Sequence, residues 1–548
     1  MKKNHTFTFA TILTMLVFAA CESKKGGTTA DKRPNIVFIF SDDHAYQSIS
    51  AYGSKLANTP NIDRIAQEGA LFRNTFITNS ICGPSRAILL TGKYSHINGY
   101  TVNERKFDAT QDVFPELLQQ SGYQTAWVGK LHLGAVPKGL DYWNLLPGQG
   151  HYFNPDFINT QYDTTRHKGY VTDLITDFSV DWLNKRDTTK PFFLVVGQKA
   201  THREWQPALE DLGAYDSVTF PIPETFYDDY KGREAAAKQD MTIEKTMRLR
   251  EDLKVDVDWG GFTADFEDRK KELIKQRFGN NTPTPEQEKQ VENYLRNGMF
   301  TRMDDEQKKV AAAYYAGISK EFKDKKLSGK ALTEWKYQRY LKDYLATANS
   351  LDRNIGRILQ YLDDHNLSEN TIVIYASDQG FYMGEHGWFD KRFIYEQSLR
   401  TAFVFRYPGV VKPGTVVDDF AIGQDWSATL LDAAGITVPA DIQGTSLLPV
   451  LKGEKVDWRK SIYYHYYEFP EPHHVYPHFG IRNSRYKLVK FYGGVESWEL
   501  YDLKTDPGEV NNIYEAKKDD QLVTDLKADL KALINQYQDT AALRISGL

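Results

Sequence analysis

Residues 80–98 read SICGPSRAILLTGKYSHIN, a polar run that stops at Cys82-Gly83-Pro84-Ser85-Arg86 and gives way to the apolar Ala87-Ile88-Leu89-Leu90. Pro84 suits a first helical turn, where a missing N–H goes unnoticed. The pattern therefore predicts a helix with Cys82 at its N-terminus. Free N–H groups and the positive end of the dipole make such a terminus an anion site, and Arg86, one turn on, can face the same point. A nucleophile and an oxyanion cradle are thus specified together. Taken alone, these residues also read as a buried structural cysteine beside a solvated arginine.

The runs on either side describe an α/β chain. Asn35-Ile36-Val37-Phe38-Ile39-Phe40 is continuously apolar and ends in Ser41-Asp42-Asp43-His44, the pattern of a buried parallel strand with acids at its C-terminal edge. Ligands of open α/β sheets gather at that edge. Adjacent carboxylates repel one another unless a cation neutralises them, so a hard divalent metal explains Asp42 and Asp43 most simply, a solvated turn being the alternative. Thr371-Ile372-Val373-Ile374-Tyr375-Ala376 is a second such strand, and its end, Ser377-Asp378-Gln379, offers another carboxylate and an amide oxygen. Thr59-Pro60-Asn61 opens a helix, with Thr59 as the expected cap. After the strand Thr125–Val128, Lys130 and His132 point to one side if the segment stays extended, bringing a cation and an imidazole to one ligand. Phe192–Gly197 leads in the same way to Lys199 and His202.

Cys82-x-Pro84-Ser85-Arg86 followed by Leu90-Thr91-Gly92-Lys93 resembles the signature of the formylglycine-dependent (type I) sulfatases. The likeness continues in Gly129-Lys130-Leu131-His132-Leu133-Gly134, in Lys199-Ala200-Thr201-His202 and in Lys391, in family order from Pro34 to about Tyr514. It implies an alkaline-phosphatase-like mixed sheet flanked by helices, with a smaller C-terminal α+β subdomain. It implies further that Cys82 is oxidised to formylglycine by a maturation enzyme, and that Asp42, Asp43, Asp378 and Gln379 bind Ca2+ in preference to Mg2+. By the same resemblance Arg86, Lys130 and Lys391 hold the sulfate, His132 serves the formylglycine hydroxyl, and His202 protonates the leaving alcohol.

Asp390 and Arg392 flank Lys391, and a carboxylate beside a guanidinium suits sugar hydroxyls, with a local ion pair as the plain alternative. Tyr467-Glu468-Phe469-Pro470 with His473, His474 and His478 resembles the C-terminal unit of N-acetylglucosamine-6-sulfatases. Asp390, Arg392 and His473 therefore lead to a 6-O-sulfated N-acetylglucosamine of a heparan-type glycosaminoglycan as the expected substrate. Another sulfated sugar, a phosphodiester or phosphonate, or binding without turnover are the alternatives. A zinc site among the histidines ranks low without cysteine partners or a helical His pair.

At the N-terminus, Lys2 and Lys3, an apolar run and Ala19-Ala20-Cys21 make a lipoprotein-type signal over 1–21, with Cys21 as the lipidated residue of a membrane-anchored, periplasmic protein. Residues 22–33 read as a flexible tether. The catalytic domain is expected over 34–455, with a helical insertion at about 227–349, and the C-terminal subdomain over 456–548. Cys21 and Cys82 are the only cysteines of the 548 residues, so a disulfide has no place once both have other tasks. A formal charge of −5, with both signs mixed along the chain, argues against nucleic acid as a partner.

Overall fold

The computed structural model of the chain describes residues 1, 33–257, 270–271, 273–275, 278–279, 282–296 and 300–548. Cys21, the signal segment after Met1, the tether up to Lys32 and part of the expected helical insertion lie outside the described residues.

Asn35–Ser41 (β1) is apolar because neighbours cover it on both edges and both faces; all seven residues are buried. Ten strands form its sheet. In chain order the others are Ala70–Phe72 (β2), Gln124–Lys130 (β3), Tyr142–Leu146 (β4), Asp156–Asn159 (β5), Thr164–Arg166 (β6), Phe192–Gly197 (β7), Thr371–Ser377 (β8), Phe403–Arg406 (β9) and Thr415–Val417 (β10). They lie in the order β10-β2-β9-β8-β1-β7-β3-β4-β5-β6. β8, β1, β7, β3 and β4 run parallel, and β9 and β5 turn against their neighbours on either side. Mixed pairing is thus confined to the flanks.

The alternation along β1 separates two cores. Ile36, Phe38 and Phe40 join Trp127, Phe193 and Ile374 beneath Cys82–Thr91 (α2) and Gln424–Ala433, which contribute Leu89, Leu90, Trp426 and Leu430. Val37 and Ile39 face the other way, with Val196 and Val373, against Pro60–Gln67 (α1), Val171–Lys185 (α3) and the long helix Gly329–Asp364 (α4). Four antiparallel strands, Ser461–Tyr466, His478–Asn483, Tyr486–Phe491 and Trp498–Asp502, carry a separate apolar cluster closed by Gln521–Gln536 through Leu526, Leu530 and Ile534.

The parallel direction decides where chemistry collects. β1, β3, β7 and β8 all deliver their C-terminal ends to one edge, carrying respectively Asp42-Asp43, Lys130 to His132, Lys199 to His202, and Asp378-Gln379. Gly129 permits this crowding: its φ is +99°, and a Cβ there would lie 2.1 Å from the Gly197 carbonyl oxygen.

Two local expectations fail for identifiable reasons. Thr59 makes no side-chain cap on α1; Asp352 of α4 takes its place, accepting from the Asn61 N–H at 3.1 Å and the Ile62 N–H at 3.0 Å. Between Phe220 and Lys254 regular helix is limited to Glu234–Lys238. Asp228 and Asp229 there accept the amides of Tyr230 and Lys231 and hold turns. Ile243, Met247 and Leu253 still bury themselves against Trp205, Tyr340 and Phe389.

Because Asp352 caps α1 from another helix, Asp352→Ala should lower stability by about 1–2 kcal/mol, the range for a lost cap. Urea denaturation checks this, and an unchanged midpoint would refute the capping role.

Candidate active site

Asp42 and Asp43 leave the end of β1, and Asp378 leaves the parallel neighbour β8. One ligand oxygen from each lies within 4.8 Å of the others, and all three residues are 0% exposed. Such acids must be neutralised, and each meets a cation from a different element. Lys130 Nζ touches Asp42, Lys391 Nζ lies 2.7 Å from Asp43 Oδ2, and Arg86 Nη2 lies 3.0 Å from Asp378 Oδ2. Burial works to raise all three carboxyl groups. Lys130, His202, Arg86 and Lys391 together outweigh it at Asp42, which stays well below the usual carboxylate range. Asp43 remains raised, and burial together with Asp42 pushes Asp378 up to about 8.

Three cations do not use up the acceptors. Among the described residues Asp42 Oδ1 and Gln379 Oε1 are buried without a hydrogen-bond partner, while Gln379 Nε2 sits 2.5 Å from Asp43 Oδ1 and 3.8 Å from Cys82 Sγ. The amide orientation is an assignment, and a half-turn exchanges its oxygen for its nitrogen. Oxygen donors only, unpaired lone pairs and raised carboxyl groups fit a hard divalent cation.

Cys82 opens α2, with Pro84 inside its first turn, and is 1% exposed. Asn103 accepts from the Gly83 N–H at 3.0 Å. Arg86 reaches down from α2 over the Phe40 ring, 4.8 Å from its centroid, and donates to the Lys130 carbonyl at 2.8 Å. The helix terminus does not ionise the thiol: burial, followed by Asp42, pushes it far above its ordinary value. Unmodified Cys82 is therefore a neutral thiol.

Lys130, at the end of β3, also contacts Gln149 Oε1 at 2.5 Å. His132 does not continue the strand. Its φ is +58°, so the extended geometry expected for this segment gives way to a left-handed turn, yet the imidazole remains beside Lys130. Its Nδ1 has no partner, and burial with Lys130 holds the ring well below its ordinary pKa. His202 Nε2 faces Asp43 Oδ2 at 3.9 Å, and its Nδ1 is bonded to the Arg203 carbonyl. Lys199 lies 4.8 Å above the Tyr152 ring, pushed down to about 8 by burial and then by Lys130.

The three residues expected to face a sugar form one chain beside Lys391. Asp390 contacts Arg392 through Oδ1 and His473 Nε2 through Oδ2 at 2.8 Å. His473 Nδ1 donates to the Asp240 carbonyl at 2.7 Å. Glu468, absent from the expected set, lies 3.2 Å from Arg392 Nε and leaves its own Oε1 buried and unpartnered.

All the site residues expected from Cys82 to His473 thus converge on one sheet edge and its rim; Cys21 lies outside the described residues. The sequence reading missed Gln149, whose glycine-flanked position in Pro147-Gly148-Gln149-Gly150 was an available signal, and Glu468, a lone acid in an aromatic run. His478 belongs to the core, stacked on Phe393 and accepting from the Ile394 N–H at 3.1 Å. A separate groove of about 840 Å³ between α1 and α4 contains none of the expected site residues.

This arrangement agrees with likenesses to known proteins. The family described as "Sulfatase" matches residues 34–436, and the one described as "N-sulphoglucosamine sulphohydrolase, C-terminal" matches 384–536. The chain is 44% identical to an N-acetylglucosamine-6-O-sulfatase of Bacteroides thetaiotaomicron, over 98% of this chain and 92% of that protein. It is 25% identical to arylsulfatase K of Rattus norvegicus, over 96% and 83% respectively. A solved structure, described as a complex with its substrate D-glucosamine-2-N,6-O-disulfate, superposes with a TM-score of 0.84 at 44% identity, covering 93% of this chain and 99% of that one. A cysteine at a helix start above a buried carboxylate trio, matched over most of the chain length, makes this chain a member of the sulfatase family, a hydrolase of sulfate esters.

Proposed function

We propose that this chain removes the 6-O-sulfate of N-acetylglucosamine in heparan-type saccharides, with formylglycine formed from Cys82 as the nucleophile. The observation that carries the reading is the junction of two clusters at Lys391. Its ammonium pairs with Asp43 of the carboxylate trio, while its neighbours Asp390 and Arg392 open the polar chain to His473 and Glu468. The 44% identical relative is named for 6-O-sulfated N-acetylglucosamine, and the similar structure holds a glucosamine sulfated at 6-O and on its nitrogen; both support a 6-O-sulfated glucosamine.

Each residue has a chemical task in this reading. Asp42, Asp43, Asp378 and Gln379 would hold a divalent cation, Ca2+ by its tolerance of carboxylate and amide oxygens, and such an ion would supply positive charge to the sulfate oxygens. Arg86, Lys130 and Lys391 surround the sulfate with positive charge where negative charge grows. The hydrated aldehyde supplies two hydroxyl groups, one to attack sulfur and one whose loss of a proton releases sulfate. His202, as an imidazolium with its Nδ1–H on the Arg203 carbonyl, gives the Nε2 proton to the sugar oxygen as its bond to sulfur breaks, assisted by Lys391; burial and then Lys130 hold the free ring well below its ordinary pKa, so the anionic ester has to stabilise that cation. His132, with a free Nδ1 and a lowered pKa, is a neutral base suited to the second proton. The neutral Cys82 thiol could not supply that second step, which supports conversion as a requirement. Asp390, Arg392 and His473 bind sugar hydroxyls through the fork-and-carboxylate pattern.

The same proposal places residues 34–455 in the catalytic domain and 456–548 in a C-terminal subdomain, and Cys21 as the lipid anchor of a periplasmic protein. Among the described residues no helix is long and apolar enough to cross a membrane.

Peptide mass across Cys82, on protein made with a formylglycine-forming enzyme, should match the aldehyde, with sulfate released from 6-sulfated N-acetylglucosamine. Aldehyde without release would refute the sugar; an intact thiol in active protein would refute the nucleophile. Cation removal should expose Asp378. Its folded pKa of about 8 exceeds the ordinary 3.8, so the group stabilises at low pH and loses that contribution as pH rises through 8. Chelated protein should therefore lose thermal stability between about pH 4 and 8 more steeply than Ca2+-loaded protein, with the difference levelling off above 8; parallel curves would refute the cation site. Lys130→Ala should lower kcat/KM by about 100-fold or more, the scale of one lost oxyanion contact, as sulfate-release kinetics would measure.

A further inference from the structure

The segment from Gln239 to Lys254 lies outside the expected catalytic groups, yet it touches the segments that carry His473, Asp390 and Arg203. Asp240 exchanges two bonds with His473: its N–H donates to the His473 carbonyl and its carbonyl accepts from His473 Nδ1, both at 2.7 Å. The Met241 carbonyl accepts from the Phe389 N–H at 3.2 Å, and Thr242 bridges to Trp388, fixing the strand that carries Asp390. At the far end, Asp252 receives Arg203 Nε and Nη2 on its two oxygens, 2.7 Å each.

The Arg203–Asp252 contact is built rather than incidental. Asp252 is 0% exposed, and its Oδ2 also accepts from the Arg248 N–H at 2.8 Å. Its carbonyl receives Lys254 Nζ at 2.8 Å, and that ammonium pairs with Asp343 of α4 at 3.2 Å. Arg203 in turn lies over the Phe389 ring, 4.8 Å from the centroid, and its carbonyl is the partner of His202 Nδ1. A continuous set of polar contacts therefore runs from a rigid 36-residue helix to the histidine at the reaction centre.

We infer that Asp252 is a positioning residue for the leaving-group histidine: by clamping Arg203 it holds the carbonyl that binds His202 Nδ1 and so keeps Nε2 turned toward the scissile ester. The bond at one imidazole nitrogen decides which nitrogen is presented at the other side. This inference rests on the proposed role of His202. A merely structural ion pair would affect every substrate alike. A positioning role affects only those whose leaving group needs a proton, because a sugar alkoxide is a poor leaving group and a nitrophenolate a good one.

The test uses mature, formylglycine-bearing enzyme in excess over substrate, on 6-sulfated N-acetylglucosamine and on 4-nitrophenyl sulfate, with thermal midpoints recorded for each variant. His202→Gln should slow the sugar by about 10²–10⁴-fold, the usual worth of a general acid, and the aryl ester far less. Asp252→Asn should slow the sugar by about 10–100-fold, the scale of a misplaced group, with the aryl ester within about threefold of the parent. Asp252→Glu should recover part of the loss. Should Asp252→Asn fail to fold, Arg203→Lys, which keeps the charge but not the fork, carries the same prediction. Equal loss on both substrates in the clamp variants, or loss on neither, overturns the positioning role. Equal loss on both in His202→Gln overturns the assignment of His202 itself, and the inference with it.

Discussion

The structure depends on three carboxylates held together out of water. Asp42, Asp43 and Asp378 arrive at one sheet edge because β1 and β8 are adjacent and parallel, and nothing in the backbone allows them to separate. Unit charges a few ångströms apart in a low-dielectric interior repel by several kcal/mol, so the fold must bring compensation to the same point. Lys130 comes from the end of β3, Arg86 from α2 and Lys391 from the rim beyond β8. Four distant parts of the chain are thereby bound to one place by charge as well as by packing. A carboxylate left without its cation costs about 3–5 kcal/mol, enough to consume much of a domain's stability.

One cation for each carboxylate leaves the centre close to neutral, and a neutral pocket has little hold on an anionic ester. A divalent cation changes that balance by two charges. The unpartnered oxygens of Asp42 and Gln379 and the raised Asp378 are what a site looks like when its donors exceed its protons and lysines. On the proposed reading, a bound cation would relieve Lys130, Lys391 and Arg86 of full pairing, and the groups that stabilise the protein would also be the ones that hold the sulfate.

What was legible in the sequence follows from range. Apolar runs ending in acids announced β1 and β8, because burial on both faces leaves an unbroken hydrophobic record. The helix at Cys82 was equally plain, since proline and the apolar run lie within a few residues of the cysteine. The Asp352 cap was not, because the residue that satisfies α1 lies 291 positions away, and no local pattern encodes it. His132 departed from the expected extended geometry where glycine-rich crowding beside β7 forces a turn. Glu468 and Gln149 escaped for a related reason: each gains meaning only from Arg392 or Lys130, which the fold brings to it.

The distinction also separates the two halves of the site. The carboxylate trio and Lys130 sit at strand ends, where position is dictated by sheet register and a shift of one residue would reverse every side chain. The groups proposed to face the sugar sit at positions of positive φ, Asp390 at the end of the short strand Phe389–Asp390 and Arg392 and His473 outside regular structure. Such backbone holds its shape only through contacts made elsewhere, here the paired bonds between Asp240 and His473, the Met241–Phe389 bond, and the Glu468–Arg392 pair. If these groups bind the sugar as proposed, selectivity for it depends on two regions outside the carboxylate trio, the segment before α4 and the C-terminal strands. Changing either can retune which hydroxyl pattern is accepted while the carboxylate trio and its cations stay in place.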